Sequence, residues 1–419
     1  MSAKPSTLHH TWPVKTINRA VRMLNRYDYA RIDLSPEYLV SKARKDAGLA
    51  NFGDESFMPA MHRLLQAAQE ETDLNPFGQW LLRRQVVAAL KNRLWAQACF
   101  AFGPEILKRK IVSPVIIVGP FRSGTTRLQR LLAVDRRFQY LRAWEGLQPA
   151  PRLNLPDHGR QERRREVERT VKAVKRLNPS FFTVHPINAD FPEEELLLFS
   201  YSFCGILNIA WGLPEYVRWL AGSDKSRGYQ EMANLLRLTS WSWNEPEDKR
   251  WVLKAPQHML DLDLLLKVFP DAKIVFTHRD PVKSVASTMS LAWNYCVQCV
   301  DAPMRTRVRD IWLELCEVMV RKCMRAREAM PPNQQLDVQY EEVNRDWRTA
   351  MRRIYDFAGL AHNTAVEEDQ ARWLALSKGA QHFGRHRYSP QDYDVTSDDI
   401  EKRMGFYRAR YSIPFEKTD

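Results

Sequence analysis

The stretch "VIIVGPFRSGTTRLQ", residues 115–129, constrains the chain more than any other. Val115, Ile116, Ile117 and Val118 are all β-branched and read as a short strand buried on both faces. A loop bounded by Gly119 and Gly124 follows, and "TTRLQRLLAVD" then reads as a helix. Strand, glycine-bounded loop and helix in that order make a cradle for a tetrahedral anion, built from backbone N–H groups and a helix N-terminus. The G-x-x-x-x-G spacing is that of an ATPase phosphate loop, and Thr126 stands at its Ser/Thr position. Thr125, however, occupies the position of the loop's lysine. The loop therefore keeps anion binding and lacks the usual neutraliser of a γ-phosphate. Arg122 offers a bidentate charge instead, and Thr125 and Thr126 add hydroxyl donors.

Further short apolar runs repeat the pattern. "RWVLKAP" (250–256), "AKIVFTHRDP" (272–281) and "QLDVQY" (335–340) each read as a buried strand ending in polar residues. Helices are predicted over 282–294, 305–329 and 342–358. Strands alternating with helices imply an α/β fold with a P-loop-like parallel sheet flanked by helices. Residues 1–110 read as a helical N-terminal extension or cap, because "FMPAMHRLLQAAQEE" and "FGQWLLRRQVVAALKNRLWAQACFAF" repeat apolar positions at three and four. Residues 111–419 form the second unit, with a helical insertion around 155–250. Within it, "RQERRREVERTVKAVKRL" (160–177) mixes Glu with Arg at helical spacing and reads as a solvated face.

Composition narrows the partners. Lys and Arg exceed Asp and Glu by 63 − 50 = 13 charges, which favours an anionic partner without choosing one. The first residues show no secretory leader, so a cytoplasmic location is expected. Six cysteines are too few for a disulfide scaffold, and Cys296 and Cys299 read as buried thiols; no metal is expected. The uncharged stretch 196–213 reads as a buried segment of a globular domain and leaves open a lipid-facing role, hence a peripheral membrane contact. Nothing in the sequence sets an oligomeric state.

Three stretches in order carry a resemblance. "GPFRSGTTRLQRLLAVD" resembles the 5′-phosphosulfate loop of sulfotransferases that use 3′-phosphoadenosine 5′-phosphosulfate (PAPS), in its bacterial-type P-R-S-G-T-T form. "IVFTHRDPVKSVAS" is similar to that family's 3′-phosphate element, with Arg279 and Ser287 eight apart, and "LDVQYEEVNRDWRTAMRRIYDFAGL" to its late strand–helix segment. The resemblance covers roughly residues 112–360. It implies PAPS as sulfuryl donor, held by Arg122, Ser123, Gly124, Thr125 and Thr126 at the 5′ end and by Arg279 and Ser287 at the 3′-phosphate. A sulfuryl group carries less charge than a terminal phosphoryl group, which suits a loop without the lysine. Lys254 would stabilise the leaving phosphate, together with Arg122. Arg127 stands where many members place an aromatic residue against adenine, and its planar guanidinium offers a substitute. "SKGAQHFGRHRY", with Lys378, Gly379, Gly384 and Arg385, is a candidate for the family's glycine-rich 3′-phosphate segment, although two extra residues separate its glycines.

Transfer to an acceptor hydroxyl, or less readily an amine, needs a base. The histidine of the family's K-T-H is replaced by Pro256. Glu145 and His258 are the leading candidates, ahead of His185 and the acidic cluster Asp190, Glu193, Glu194 and Glu195. Tryptophans and tyrosines between 144 and 260 suggest a small but bulky apolar or lipid acceptor. Two other readings predict different behaviour: a P-loop small-molecule or nucleotide kinase would turn over Mg-ATP, and a basic nucleic-acid-binding protein would show steep salt dependence. Thr125 speaks against the first, and the absence of a recognisable module against the second; no nucleic-acid partner is expected.

Overall fold

Five short parallel strands organise the chain: β1 (Val115–Val118), β2 (Phe138–Tyr140), β3 (Arg250–Lys254), β4 (Lys273–His278) and β5 (Gln335–Gln339), in the spatial order β2-β3-β1-β4-β5. They are seen in a computed structural model that describes residues 10–26, 31–206, 211–302, 305–380 and 388–416. Four of these strands follow the apolar runs predicted above. The fifth, β2, has three residues and only "FQY" to mark it, too short for any periodicity to register.

The two faces of the sheet bury different sets of residues, as period-2 alternation requires. Val115, Ile117, Val252 and Val275 face one way, against Leu128, Leu131, Met351, Ile354 and Tyr355. These partners lie on α5 (Thr125–Ala133) and α15 (Trp347–Ala358). Ile116, Val118, Leu253, Ile274 and Phe276 face the other way, into a larger helical core. Covering both faces explains why β1, β3 and β4 read as continuous apolar runs; β5, expected to be buried, lies at the sheet edge and buries only Val338.

That larger core draws on most of the remaining helices. They are α1 (Trp12–Asn25), α2 (Pro36–Ala47), α3 (Met58–Glu70) and α4 (Pro76–Phe102) before the sheet; α6 (Ala143–Leu147), α7 (Arg160–Leu177), α8 (Pro179–Val184), α9 (Pro214–Gly222) and α10 (Ser226–Ser242) between β2 and β3; α11 (Leu262–Val268) between β3 and β4; α12 (Pro281–Cys296) and α13 (Arg305–Glu328) between β4 and β5; and α14 (Tyr340–Arg345), α15, α16 (Thr364–Ala380) and α17 (Ser397–Tyr411) after it. Buried residues of the first four helices, Val14, Leu39, Leu64 and Leu90 among them, share one contiguous core with the sheet. The predicted helix 342–358 is two helices. Asp346 breaks it by accepting hydrogen bonds from the N–H groups of Arg348 and Thr349, both at 3.2 Å, which caps α15 and starts it afresh.

The uncharged stretch 196–213 begins in a 3₁₀ helix, Glu195–Ser202, rather than an α-helix. Leu196, Leu198 and Phe199 are buried; residues 207–210 lie outside the described residues. Among the described residues no helix is long and apolar enough to cross a membrane. All six cysteines are free and buried, and burial pushes the Cys296 thiol up to about 12.

Tyr355 ties α15 to the turn before β2. Its ring is fully buried and its hydroxyl donates to Asp135 Oδ2 at 2.9 Å, beside the Arg137–Asp135 ion pair. Tyr355→Phe should cost about 1 kcal/mol and Tyr355→Ala about 3–5 kcal/mol, read from urea unfolding midpoints.

Candidate active site

The carboxyl ends of β1, β3 and β4 converge on one edge of the sheet, where open α/β folds bind ligands. Register places Ile117 of β1 opposite Lys254, and Val118 opposite Phe276, so the loop after β1 runs between Lys254 and Thr277. Gly119 passes so close to β4 that a Cβ there would lie 2.1 Å from Thr277 Oγ1. Ser123, fully buried, donates its hydroxyl proton to the Pro120 carbonyl at 2.7 Å and accepts from Thr277 Oγ1 at 2.7 Å. Its hydroxyl thus shapes the loop. Gly124 has φ +87°, and a Cβ there would meet the Tyr340 ring at 2.7 Å. Both conditions exclude any side chain. Thr125 and Thr126 open α5, so their N–H groups have no acceptor within the helix. Arg127 turns away from them, donating to Asn344 Oδ1 at 2.9 Å, and helps line a cleft with Gly124, Thr277 and Tyr340.

A second cationic centre lies beside the loop. Arg122 donates from Nε to Ser287 Oγ of α12 at 3.0 Å, and its carbonyl accepts from Arg279 at 2.8 Å. Burial, reinforced by the charge of Arg279, pulls the Arg122 guanidinium below its ordinary pKa. Arg279 lies over the Tyr340 ring at 4.1 Å. Its Nε and Nη2 donate to the two carboxylate oxygens of Glu416, at 2.6 and 2.8 Å. The tail that brings Glu416 there is anchored firmly. Asp280 accepts from the Glu416 N–H at 2.8 Å and pairs with Arg408 at 2.8 Å, while Arg408 also donates to the carbonyls of Ile413 and Pro414.

Lys254 ends β3 fully buried. Its ammonium pairs with Glu194 and donates to Thr126 Oγ1 at 3.3 Å. Its backbone N–H donates to Glu195 Oε2 at 2.7 Å. Burial raises the pKa of Glu194, with the adjacent Glu193 charge adding to it and Lys254 opposing it. Glu193 behaves oppositely. Burial would push it up too, but His185, 3.7 Å away, and Lys254 hold it down at about 2.

The two leading candidates for the base are engaged with other partners. Glu145 is buried at the start of α6, where it accepts from the Arg142 N–H at 2.8 Å, pairs with the Arg142 side chain at 3.3 Å and accepts from the Trp243 indole. Burial raises its pKa, with Arg142 opposing. His258 is fully buried in a 3₁₀ turn, with Nε2 bonded to Glu195 Oε1 at 2.8 Å and Nδ1 to the Tyr229 hydroxyl at 3.1 Å. Both side chains are committed to the fold, and neither is bonded to the loop. Gly384 and Arg385 lie outside the described residues. Sequence reasoning placed Glu194 only within an acidic cluster and missed Tyr340 and Glu416. A strand-terminal lysine with a run of acids upstream was the available signal for the first; a lone acid near the C-terminus offered none for the last.

Comparison with known proteins bears on the family and the fold. Residues 114–364 match the model of the "Sulfotransferase family". The omega-hydroxy-beta-dihydromenaquinone-9 sulfotransferase Stf3 of Mycobacterium bovis and of Mycobacterium tuberculosis (strain CDC 1551 / Oshkosh) is 25% identical over 283 residues, 64% of this chain and 68% of its own. Among solved structures, sulfotransferase STF1 from Mycobacterium tuberculosis H37Rv superposes with TM-score 0.78 at 27% identity, over 90% of this chain and all of its own. Sulfotransferase STF9 from Mycobacterium avium gives TM-score 0.78 at 25% identity, over 92% of this chain and 99% of its own.

A structural role for His258 has a measurable signature. His258→Phe strands a buried carboxylate and a buried hydroxyl, and should lower stability by about 1–3 kcal/mol in urea unfolding.

Proposed function

The chain belongs to the sulfotransferase family, and from that premise we propose that it moves a sulfuryl group from PAPS to the hydroxyl of a lipid-like acceptor. The groups present fit such a donor. Open first-turn N–H groups at Thr125 and Thr126 and the guanidinium of Arg122 make one anion site. Arg279, already paired with a carboxylate, makes a second next to Ser287 and Arg122. The first would hold the 5′-phosphosulfate and the second the 3′-phosphate that separates PAPS from ATP. When bound, PAPS supplies a sulfuryl group on a phosphate leaving group.

The observation that carries the reading is the position of Lys254, whose one ammonium contacts both Glu194 and the loop hydroxyl of Thr126. It presents a fixed positive charge where negative charge develops on the leaving phosphate. Glu194 is then the general base and takes the proton of the acceptor hydroxyl at its carboxylate. Partial burial supports this role, since a raised carboxylate pKa moves proton affinity toward neutrality. Glu195 and His258 stand behind as positioning residues, holding the backbone of Lys254 through the Glu195 carboxylate. For the acceptor, the hydroxylated menaquinone named for the Stf3 relatives supports a hydroxyl on a bulky apolar or isoprenoid chain.

Glu194→Gln tests the base. It should lower kcat at least about 100-fold while the affinity for 3′-phosphoadenosine 5′-phosphate (PAP) stays within about twofold. The base works deprotonated, so kcat/KM of the native enzyme should rise with pH through a value above the ordinary carboxylate range. That limb should vanish in the variant; near-native turnover with an unchanged profile would exclude Glu194.

The second anion site makes a separate prediction. A 3′-phosphate must take Arg279 from Glu416. Glu416→Gln should therefore tighten PAP binding about five- to tenfold, measured by calorimetry, and leave AMP binding unchanged. Arg279→Ala should raise the KM for PAPS far more than that for the acceptor. Equal changes in both constants would remove Arg279 from the donor site.

A further inference from the structure

We propose that α1 is a membrane-docking helix that seats the enzyme on an anionic bilayer surface. At about 100° per residue the helix divides into three faces. Val14, Asn18 and Val21 fall within about 60° of one another and pack inward, Val14 and Asn18 being buried. Trp12, Ile17, Ala20, Met23 and Leu24 fall within about 140° of one another on a second face. That face is open: Trp12 is 77% exposed, Met23 60%, Leu24 49% and Ile17 38%. Lys15, Arg19, Arg22 and Arg26 fill a third face of about 60°. All four are exposed and the helix contains no acid; Arg22 is paired with Asp301, which leaves Lys15, Arg19 and Arg26 to carry the stripe's charge.

The inward face is pinned, so the apolar one cannot roll into the core. Asn18 Oδ1 accepts from the Phe77 N–H at 2.8 Å, Thr11 N–H donates to Gln298 Oε1 at 2.8 Å, and the Thr11 hydroxyl donates to the Leu177 carbonyl at 2.8 Å. A surface helix of a globular protein turns polar residues outward. Here the outward face is apolar apart from Thr16, whose hydroxyl donates back to the Trp12 carbonyl at 3.0 Å, and the basic stripe borders it. That pairing fits one occupant: acyl boundary under the apolar side chains, and lipid phosphates beside the arginines and lysine. Trp12 adds a ring suited to the headgroup level. The chain's excess of 13 positive charges supports the same partner. Docking stands apart from the assignment of donor and acceptor; for a lipid acceptor it would bring the site to the leaflet that holds it.

The test is co-sedimentation of the full chain with vesicles of phosphatidylcholine alone or mixed with phosphatidylglycerol. Binding to the anionic vesicles is expected, weakening with added salt, and at least about tenfold weaker to phosphatidylcholine alone. The double variant Ile17→Ser, Leu24→Ser should lower partitioning at least about tenfold with an unchanged melting temperature, since both side chains are exposed. Lys15→Glu with Arg19→Glu should do likewise. Equal binding of the apolar variant and the native chain would overturn the proposal. So would a native chain that ignores anionic vesicles and instead dimerises through this face, a dimer lost in the apolar variant.

Discussion

A buried ammonium without a counter-charge is untenable, and Lys254 is a buried ammonium at the end of a central strand. Glu194 answers it, and Glu195 takes the backbone N–H of the same lysine. Two adjacent acids therefore clamp one residue of β3 by its side chain and its main chain. The clamp brings the start of the 3₁₀ helix onto the sheet edge, and with it the helices that separate β2 from β3. Thr126, reached by the same ammonium, links this clamp to the loop after β1. Charge neutralisation in the interior and assembly of the site are the same event.

The loop is held from the other side by neutral groups. Ser123 and Thr277 share a buried hydrogen bond, and Gly119 lets the two strands' ends touch. Such a loop needs little rearrangement when an anion arrives, because its first-turn amides have no acceptor within α5. The cations are arranged with similar economy. Arg122 and Arg279 sit close enough for the carbonyl of the first to accept a hydrogen bond from the second, and Glu416 pairs with Arg279.

How much of this the sequence discloses depends on the range of the interaction. β1, β3 and β4 are legible because a strand covered on both faces must be apolar throughout; β5, at the sheet edge with only Val338 buried, shows as a short run ending in polar residues. The loop is legible because a left-handed turn before a helix demands Gly124. Arg122, Ser287 and Arg279 are legible as a set through the spacing of two motifs, and the structure brings them into one hydrogen-bonded chain. β2 leaves no trace, since three residues cannot show a period. Glu194, Glu195, His258 and Glu145 are the instructive group. All are polar, all lie near the right segments, and only the folded chain decides which partner each receives. His258 loses both nitrogens to Glu195 and Tyr229, Glu145 is drawn to Arg142 and Trp243, and Glu194 remains on Lys254.

Tyr340 has a consequence beyond its own contacts. One side of its ring region limits Gly124, and Arg279 lies across the ring. The loop and the second cationic centre are thus both packed against one aromatic ring just after β5. Changes at that ring would shift both centres together, so substitutions in the loop and at Arg279 would combine non-additively. A single uncharged aromatic residue thus couples the glycine of the loop to the second cationic centre.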